Sequence, residues 1–216
     1  MNLIEIENLL AQKISKIASS EDPAHDFLHF KRVVQTAKTL CAEEEGRLEV
    51  VLPAAWLHDF VIIPKNDLLR KQASQLSAEA AIQFLKQIQY PEIYFEDIAH
   101  AIAAHSFSAN IQTKTLDAKI VQDADRLDGL GAIGIARCFA TTSLLKRPFY
   151  SEEDPFCKKR LVDDEQFTID HFYAKLFKTA ETLKTETGRK EGLRRVEVMK
   201  KYLTDLDVEI RMSSSL

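Results

Sequence analysis

The chain has 216 residues, a net charge of −4, 45% hydrophobic and 29% charged residues, with six glycines and six prolines. That length can bury a substantial core in one large domain, and the composition excludes dominant disorder, collagen-like character and low complexity. The acidic balance disfavours a nucleic-acid or other polyanion partner, and no apolar run reaches the roughly 18 residues that a membrane span needs.

At the N-terminus Glu5 and Glu7 stand where a secretory signal would carry Lys or Arg. Ile6, Leu9, Leu10, Ile14 and Ile17 recur at the spacing of one helix face. SSEDPAHD (19–26) ends that helix with Pro23 and two aspartates as turn and cap chemistry. Phe30, Val33, Val34, Ala37, Leu40 and Cys41 mark a second helix. VVL at 50–52 is the nearest thing to a strand signal, and it runs straight into an Ala-rich helical stretch. Residues 60–72 read as an irregular loop around Pro64. Ala78, Ala81, Leu85 and Ile88 mark one further helix, and Ile98, Ile102 and His105 mark another. A polar loop covers 106–114, and a long mixed segment with Pro148 and Pro155 covers 146–167, a length usual for functional loops or short helices.

These patterns predict an all-α fold without repeats: one unit over 1–216, with a helical core over about 20–145 and a C-terminal helical extension over about 146–216. Lys175–Lys201 holds nine Lys or Arg and four Glu, and it reads as a solvated helix face because no aromatic stacking pattern accompanies the charge. Cys41, Cys138 and Cys157 are odd in number and widely spaced, which argues against a disulfide framework or thiolate zinc site and fits a reducing cytoplasm.

The chemistry concentrates in the histidines. Five of six fall in three stretches, His25 with His29, His58, and His100 with His105, while His171 stands alone. HDFLH (25–29), HD (58–59) and DADRLD (123–128) are the ligand-type groupings. His29 shares a stripe with Val33, Thr36 and Leu40, and His105 with Ile98 and Ile102, so both point inward, whereas His100 lies off the stripe. Asp125 shares a face with Val121 and Asp128. Singly, each has a bland explanation: a hydrogen-bonded core histidine, a capping aspartate, a partner for Arg126. Together they require several buried ionisable groups at once, and one shared divalent cation satisfies them all.

The ordered set His29, His58-Asp59 and Asp125 resembles the HD-domain superfamily of metal-dependent phosphohydrolases. HDFLHFKRV (25–33), WLHDF (56–60), IAAHSFS (102–108) and KIVQDADRLDGLGAIGIARCFA (119–140) are similar to the small bacterial HD hydrolases of the YedJ/YpgQ type. EDPF, DD and DHFYAKL carry the likeness into the C-terminal third. The resemblance implies a helical bundle holding one divalent metal (Mn, Fe, Co, Ni, Zn or Mg) through His29, His58, Asp59 and Asp125. A mixed nitrogen and oxygen shell suits such ions. It further implies attack of an activated water on a small phosphorylated substrate, foremost a nucleotide phosphoanhydride. The alternatives are a phosphomonoesterase, a phosphodiesterase or a non-catalytic binding module.

Around that centre, His105 could donate a proton or bind phosphate, and Asp128 could orient water. Lys65, also a candidate catalytic cation, could clamp phosphates together with Arg32, Asn66, Arg70 and Arg126. Lys65 and Arg70 read equally well as solvated loop charges, and Arg126 as a structural partner of Asp123 and Asp125. His25 and Asp26 read as a cap or as support for the ligands. One departure counts against alarmone hydrolysis: Phe60 and Val61 follow the HD pair where the alarmone hydrolases carry Glu-Asp.

Overall fold

A computed structural model describes residues 2–18, 26–63 and 67–213. Its described residues are helical, with turns and no strand, as the periodicity predicts. They form two compact units: Met1–Asp125 with Leu183–Gly188, and Arg126–Thr182 with Arg189–Leu216. The sequence pattern places the end of the core near residue 145, whereas the packing divides between Asp125 and Arg126.

In the first unit, α1 (Leu3–Ser15) begins with a capping box. The Asn2 Oδ1 accepts the Glu5 amide at 2.9 Å, and the Glu5 carboxylate accepts the Asn2 amide at 3.0 Å. Ile6, Leu10 and Ile14 are buried, while Leu9, predicted on the same face, is 37% exposed. Helix α2 (Phe27–Glu43) starts at Asp26, whose carboxylate accepts the His29 amide at 2.8 Å.

Helix α3 (Leu48–Leu57) positions the rest. Every residue from Val50 to Leu57 is buried, so it is apolar all round, the property of a helix with neighbours on every side. It packs against α1, α2 and α5 (Phe95–His105), and α5 packs against α4 (Ala73–Gln87). Arg47, at the N-cap of α3, ties that end down. Its Nη2 donates to Asp117 at 2.6 Å and to Asp97 at 2.7 Å, and its backbone amide donates to Asp117 at 2.8 Å. Asp97 lies on α5, and Asp117 on α6 (Leu116–Asp128).

Pro53 sits inside α3 and has no amide proton, so the Glu49 carbonyl one turn earlier loses its helical donor. The Tyr90 hydroxyl supplies the missing bond at 2.6 Å. Burial, with the Glu49 charge second, pushes the Tyr90 phenol up to about 12, so it remains a donor at any working pH.

The second unit holds the end of α6, α7 (Gly131–Leu144), a π-helical turn over Phe172–Leu176 that continues into α8 (Phe177–Glu181), and most of α9 (Glu186–Ser213). Residues 146–167 contain turns and no helix. Asp154 accepts the amides of Lys158, Lys159 and Arg160, and the Arg160 guanidinium forks onto the fully buried Asp170 at 2.6 and 2.7 Å. No described helix is long and apolar enough to cross a membrane.

The Tyr90 bond predicts a coupled pair of substitutions. Tyr90→Phe should destabilise the protein by about 1 kcal/mol, because it leaves a part-buried carbonyl without its donor. Pro53→Ala restores the helical donor, so Tyr90→Phe should cost markedly less in that background. Urea denaturation of the four proteins checks this, and additive losses would show that Tyr90 does not fill the place left by Pro53.

Candidate metal centre

His58 caps the C-terminal end of α3, and its Nδ1 bonds the Ala55 carbonyl at 2.8 Å. His105 repeats the arrangement at the end of α5, with Nδ1 on the Ile102 carbonyl at 2.6 Å. Helix ends leave such carbonyls without amide partners, so a ring three residues on can fill them. A carbonyl only accepts, so Nδ1 carries a proton in both rings, and Nε2 presents its lone pair whenever the ring is neutral. Two helix ends thus aim two Nε2 atoms the same way, with the rings 5.0 Å apart and edge to face.

The other groups arrive from α2 and α6. His29 Nε2 lies 3.3 Å from His58 Nε2. Asp125 Oδ1 lies 3.7 Å from His29 Nε2 and 3.9 Å from His58 Nε2. Asp59, next in sequence to His58, divides its carboxylate: Oδ2 is 3.7 Å from His58 Nε2, and Oδ1 is 3.4 Å from His105 Nε2. His29, His58 and Asp125 form one group able to hold an ion; His58, Asp59 and His105 form another; His58 belongs to both.

The donor set fits a divalent cation. Ligand atoms about 2.1 Å from a common ion and 90–110° apart lie roughly 3.0–3.4 Å from one another, close to the spacings found here. Two nitrogens facing at 3.3 Å need a cation or a proton between them. A proton is disfavoured on His58: burial opposes its charge, the neighbouring imidazoles add to this, and its pKa falls to about 4 despite Asp59 and Asp125. His58 is therefore neutral near pH 7, the form that binds metals. Burial also opposes charge on His105, but the bond and charge of Asp59, with Asp125 behind it, prevail and raise its pKa. Burial works to raise the Asp125 pKa, and the three imidazoles outweigh it and hold it below the usual carboxylate range.

Exposure is uneven. The side chains of His29, His58 and His105 are 1%, 0% and 4% exposed, against 19% for Asp59 and 28% for Asp125. Solvent reaches the centre on its carboxylate side, so it is open to water and a ligand, unlike closed structural sites.

The remaining predicted residues are spread out. Arg32 is half-buried one turn beyond His29. Arg70 Nη1 donates to the Ile63 carbonyl at 2.8 Å. Lys65, Asn66 and His25 lie outside the described residues. Arg126 and Asp128 belong to the second unit. There Arg126 donates to the Thr182 carbonyl and hydroxyl at 3.1 and 2.7 Å, and the buried Asp128 accepts from Arg137 at 2.7 Å. The Asp123 carboxylate, read from sequence as a neighbour of Arg126, accepts the Lys184 and Thr185 amides and the Thr185 hydroxyl. Asp26 is the cap of α2, and His100 accepts the Lys114 amide at 2.9 Å, away from the stripe that buries His105.

Sequence reasoning passed over Ser74, Ser77 and Gln122, all buried. Ser77 Oγ accepts the Val61 amide at 3.0 Å, two residues after Asp59. Gln122 is buried on α6, four residues after the buried Ala118 and three before Asp125, and a buried amide there signals an internal partner.

The HD domain family model matches residues 27–130, a span that contains the whole cluster. The uncharacterized protein YpgQ of Bacillus subtilis is 26% identical over 209 residues, covering 91% of this chain and 90% of its own. The structure of YpgQ in complex with ADP superposes with a TM-score of 0.74 at 28% identity, over 94% of this chain and 97% of that one. The Lin1889 protein of Listeria innocua gives 0.75 at 28% identity, over 98% of each chain. An HD-superfamily hydrolase of Bacillus thuringiensis gives 0.73 at 28% identity, over 95% of each. The His29, His58-Asp59 and Asp125 set thus lies in a segment that matches the HD domain, within a helical fold that is similar along nearly its whole length to YpgQ and the HD-superfamily hydrolases.

Proposed function

We propose that this chain is a metal-dependent phosphohydrolase that holds one divalent ion through His29, His58, Asp59 and Asp125 and hydrolyses a phosphoanhydride bond of a nucleotide. The observation that carries the reading is the pair of Nε2 atoms of His29 and His58 facing at 3.3 Å beside two carboxylates. The ADP held by the Bacillus subtilis relative supports the substrate class. A bound divalent ion supplies an acidified water and offsets phosphoryl charge.

The chain's own residues do the rest. His58 is held by Ala55 in the tautomer that ligates. Asp59 turns one oxygen towards His58, where it would hold the ion, and the other towards His105, so a single carboxylate serves both. His105 has its Nδ1 proton committed to Ile102, so in its charged form, which Asp59 favours, it gives its second proton, on Nε2, to the leaving oxygen and returns to the neutral ring. Arg32, Lys65 and Asn66 are the phosphate-binding groups of this proposal. Arg70, Arg126 and Asp128, each with a partner inside its own unit, support the fold.

The test is a phosphate- and pyrophosphate-release screen over nucleotides with Mg, Mn, Co, Ni and Zn. Turnover should require a divalent ion. Asp59→Asn should lower it roughly 100-fold or more with little change in the melting temperature of the metal-free protein. His105→Ala should cut turnover strongly, and His100→Ala should leave it near wild type. Full turnover by Asp59→Asn at ordinary metal concentration would remove Asp59 from the ligand set, and equal damage from both histidine variants would contradict the role of His105.

The centre also predicts a pH optimum for stability. His58 has a folded value of about 4 against its ordinary 6.5. Between these values the unfolded chain takes up a proton that the folded one refuses, so stability falls as pH drops from 6.5 towards 4. His105 acts in the opposite sense: its raised folded value contributes stability that is lost as pH rises through that value. Metal-free protein should therefore melt highest near pH 6.5, and His105→Gln should flatten the alkaline side. Thermal denaturation in chelator from pH 4 to 9 checks this, and a melting temperature that climbs steadily towards pH 4 would contradict it.

A further inference from the structure

A helix leaves its last four carbonyls without amide donors, and in α5 these belong to Ile102, Ala103, Ala104 and His105. Side chains take three of them. His105 Nδ1 fills the Ile102 carbonyl at 2.6 Å. The Ser74 hydroxyl, from the first turn of α4, donates to the Ala103 carbonyl at 2.9 Å. Gln122 Nε2, from α6, donates to the Ala104 carbonyl at 2.7 Å. The peptide just before His105 is therefore pinned from two helices, by side chains only 2% and 4% exposed.

Gln122 makes that bond at a cost. Its Oε1 is buried with no hydrogen-bond partner among the described residues, a defect worth about 1–3 kcal/mol. A methionine of similar size would fill the same space without the defect. Core stability alone therefore does not explain a glutamine here, and the bond from Nε2 to the Ala104 carbonyl does. Gln122 also lies three residues before Asp125 on the same helix, so its bond fixes the end of α5 against the segment of α6 that carries Asp125.

We infer that Gln122, assisted by Ser74, is a positioning residue that holds His105 at a set distance and angle from Asp59 and Asp125. The inference rests on the role of His105 in the proposed hydrolysis. Without the pin, the last turn of α5 frays, the ring loses its single orientation, and proton delivery slows while substrate binding does not.

The test compares wild type with Gln122→Met and Ser74→Ala. Gln122→Met should lower kcat about tenfold or more with KM within about twofold, and the melting temperature should hold or rise because the unpaired oxygen is gone. Ser74→Ala should act in the same direction and less strongly. The independent readout is nitrogen NMR of histidine-labelled protein with zinc added, where the His105 signals are assigned by their loss in His105→Gln. At a pH where His105 is neutral, wild type should show its single Nδ1–H tautomer, and Gln122→Met should show broadened or mixed signals. Unchanged His105 signals in Gln122→Met overturn the inference, whether kcat stays level or falls together with a lowered melting temperature. If wild type hydrolyses no nucleotide, the proposed function fails, and the NMR comparison still decides whether Gln122 positions His105.

Discussion

Two imidazole Nε2 atoms, 3.3 Å apart and flanked by carboxylates, are the constraint on which the first unit turns. Such a pair needs a proton or a cation between its nitrogens, and burial keeps positive charge off His58 itself at neutral pH. The surrounding fold is organised to hold that arrangement in advance. A helix apolar on all sides carries His58 and Asp59 at its end, and four other helices surround or brace it. Charge gathers at the end of an apolar helix, and a cation shared among the groups would offset what none could sustain alone.

The same local device recurs at both histidines that end helices. The ring of residue i fills the carbonyl of i−3, which removes an unfilled acceptor, selects the tautomer and aims Nε2, all through one bond. Related economy appears elsewhere: Asp26 caps α2 through the amide of His29, and Tyr90 repairs the gap that Pro53 opens in α3. Ligand placement is thus tied to helix termination, and changes that fray an end should disturb chemistry before they unfold the protein.

Much of this was legible in the sequence. The stripe of Val33 and Leu40 sets the phase of His29, and Ile98 with Ile102 separates an inward His105 from His100, which instead receives the Lys114 amide. What periodicity could not reveal are bonds from polar side chains to distant carbonyls. Ser74, Gln122 and Tyr90 look like ordinary helix or turn residues until α5 and α3 are in place beside them. Sequence adjacency does not give every partner: Arg126, which neighbours two aspartates in sequence, also reaches Thr182, and Asp123 receives the Lys184 and Thr185 amides. The division at Asp125 was also invisible, because α6 runs through it without a break in pattern.

The central claim is that His29, His58, Asp59 and Asp125 share one divalent ion, and anomalous diffraction from a crystal grown with manganese or zinc tests it most directly. The account predicts one ion per chain, bonded to Nε2 of both histidines and to an oxygen of each aspartate at about 2.0–2.2 Å. An ion bound elsewhere, or a centre that stays metal-free at saturating manganese and zinc, would contradict it.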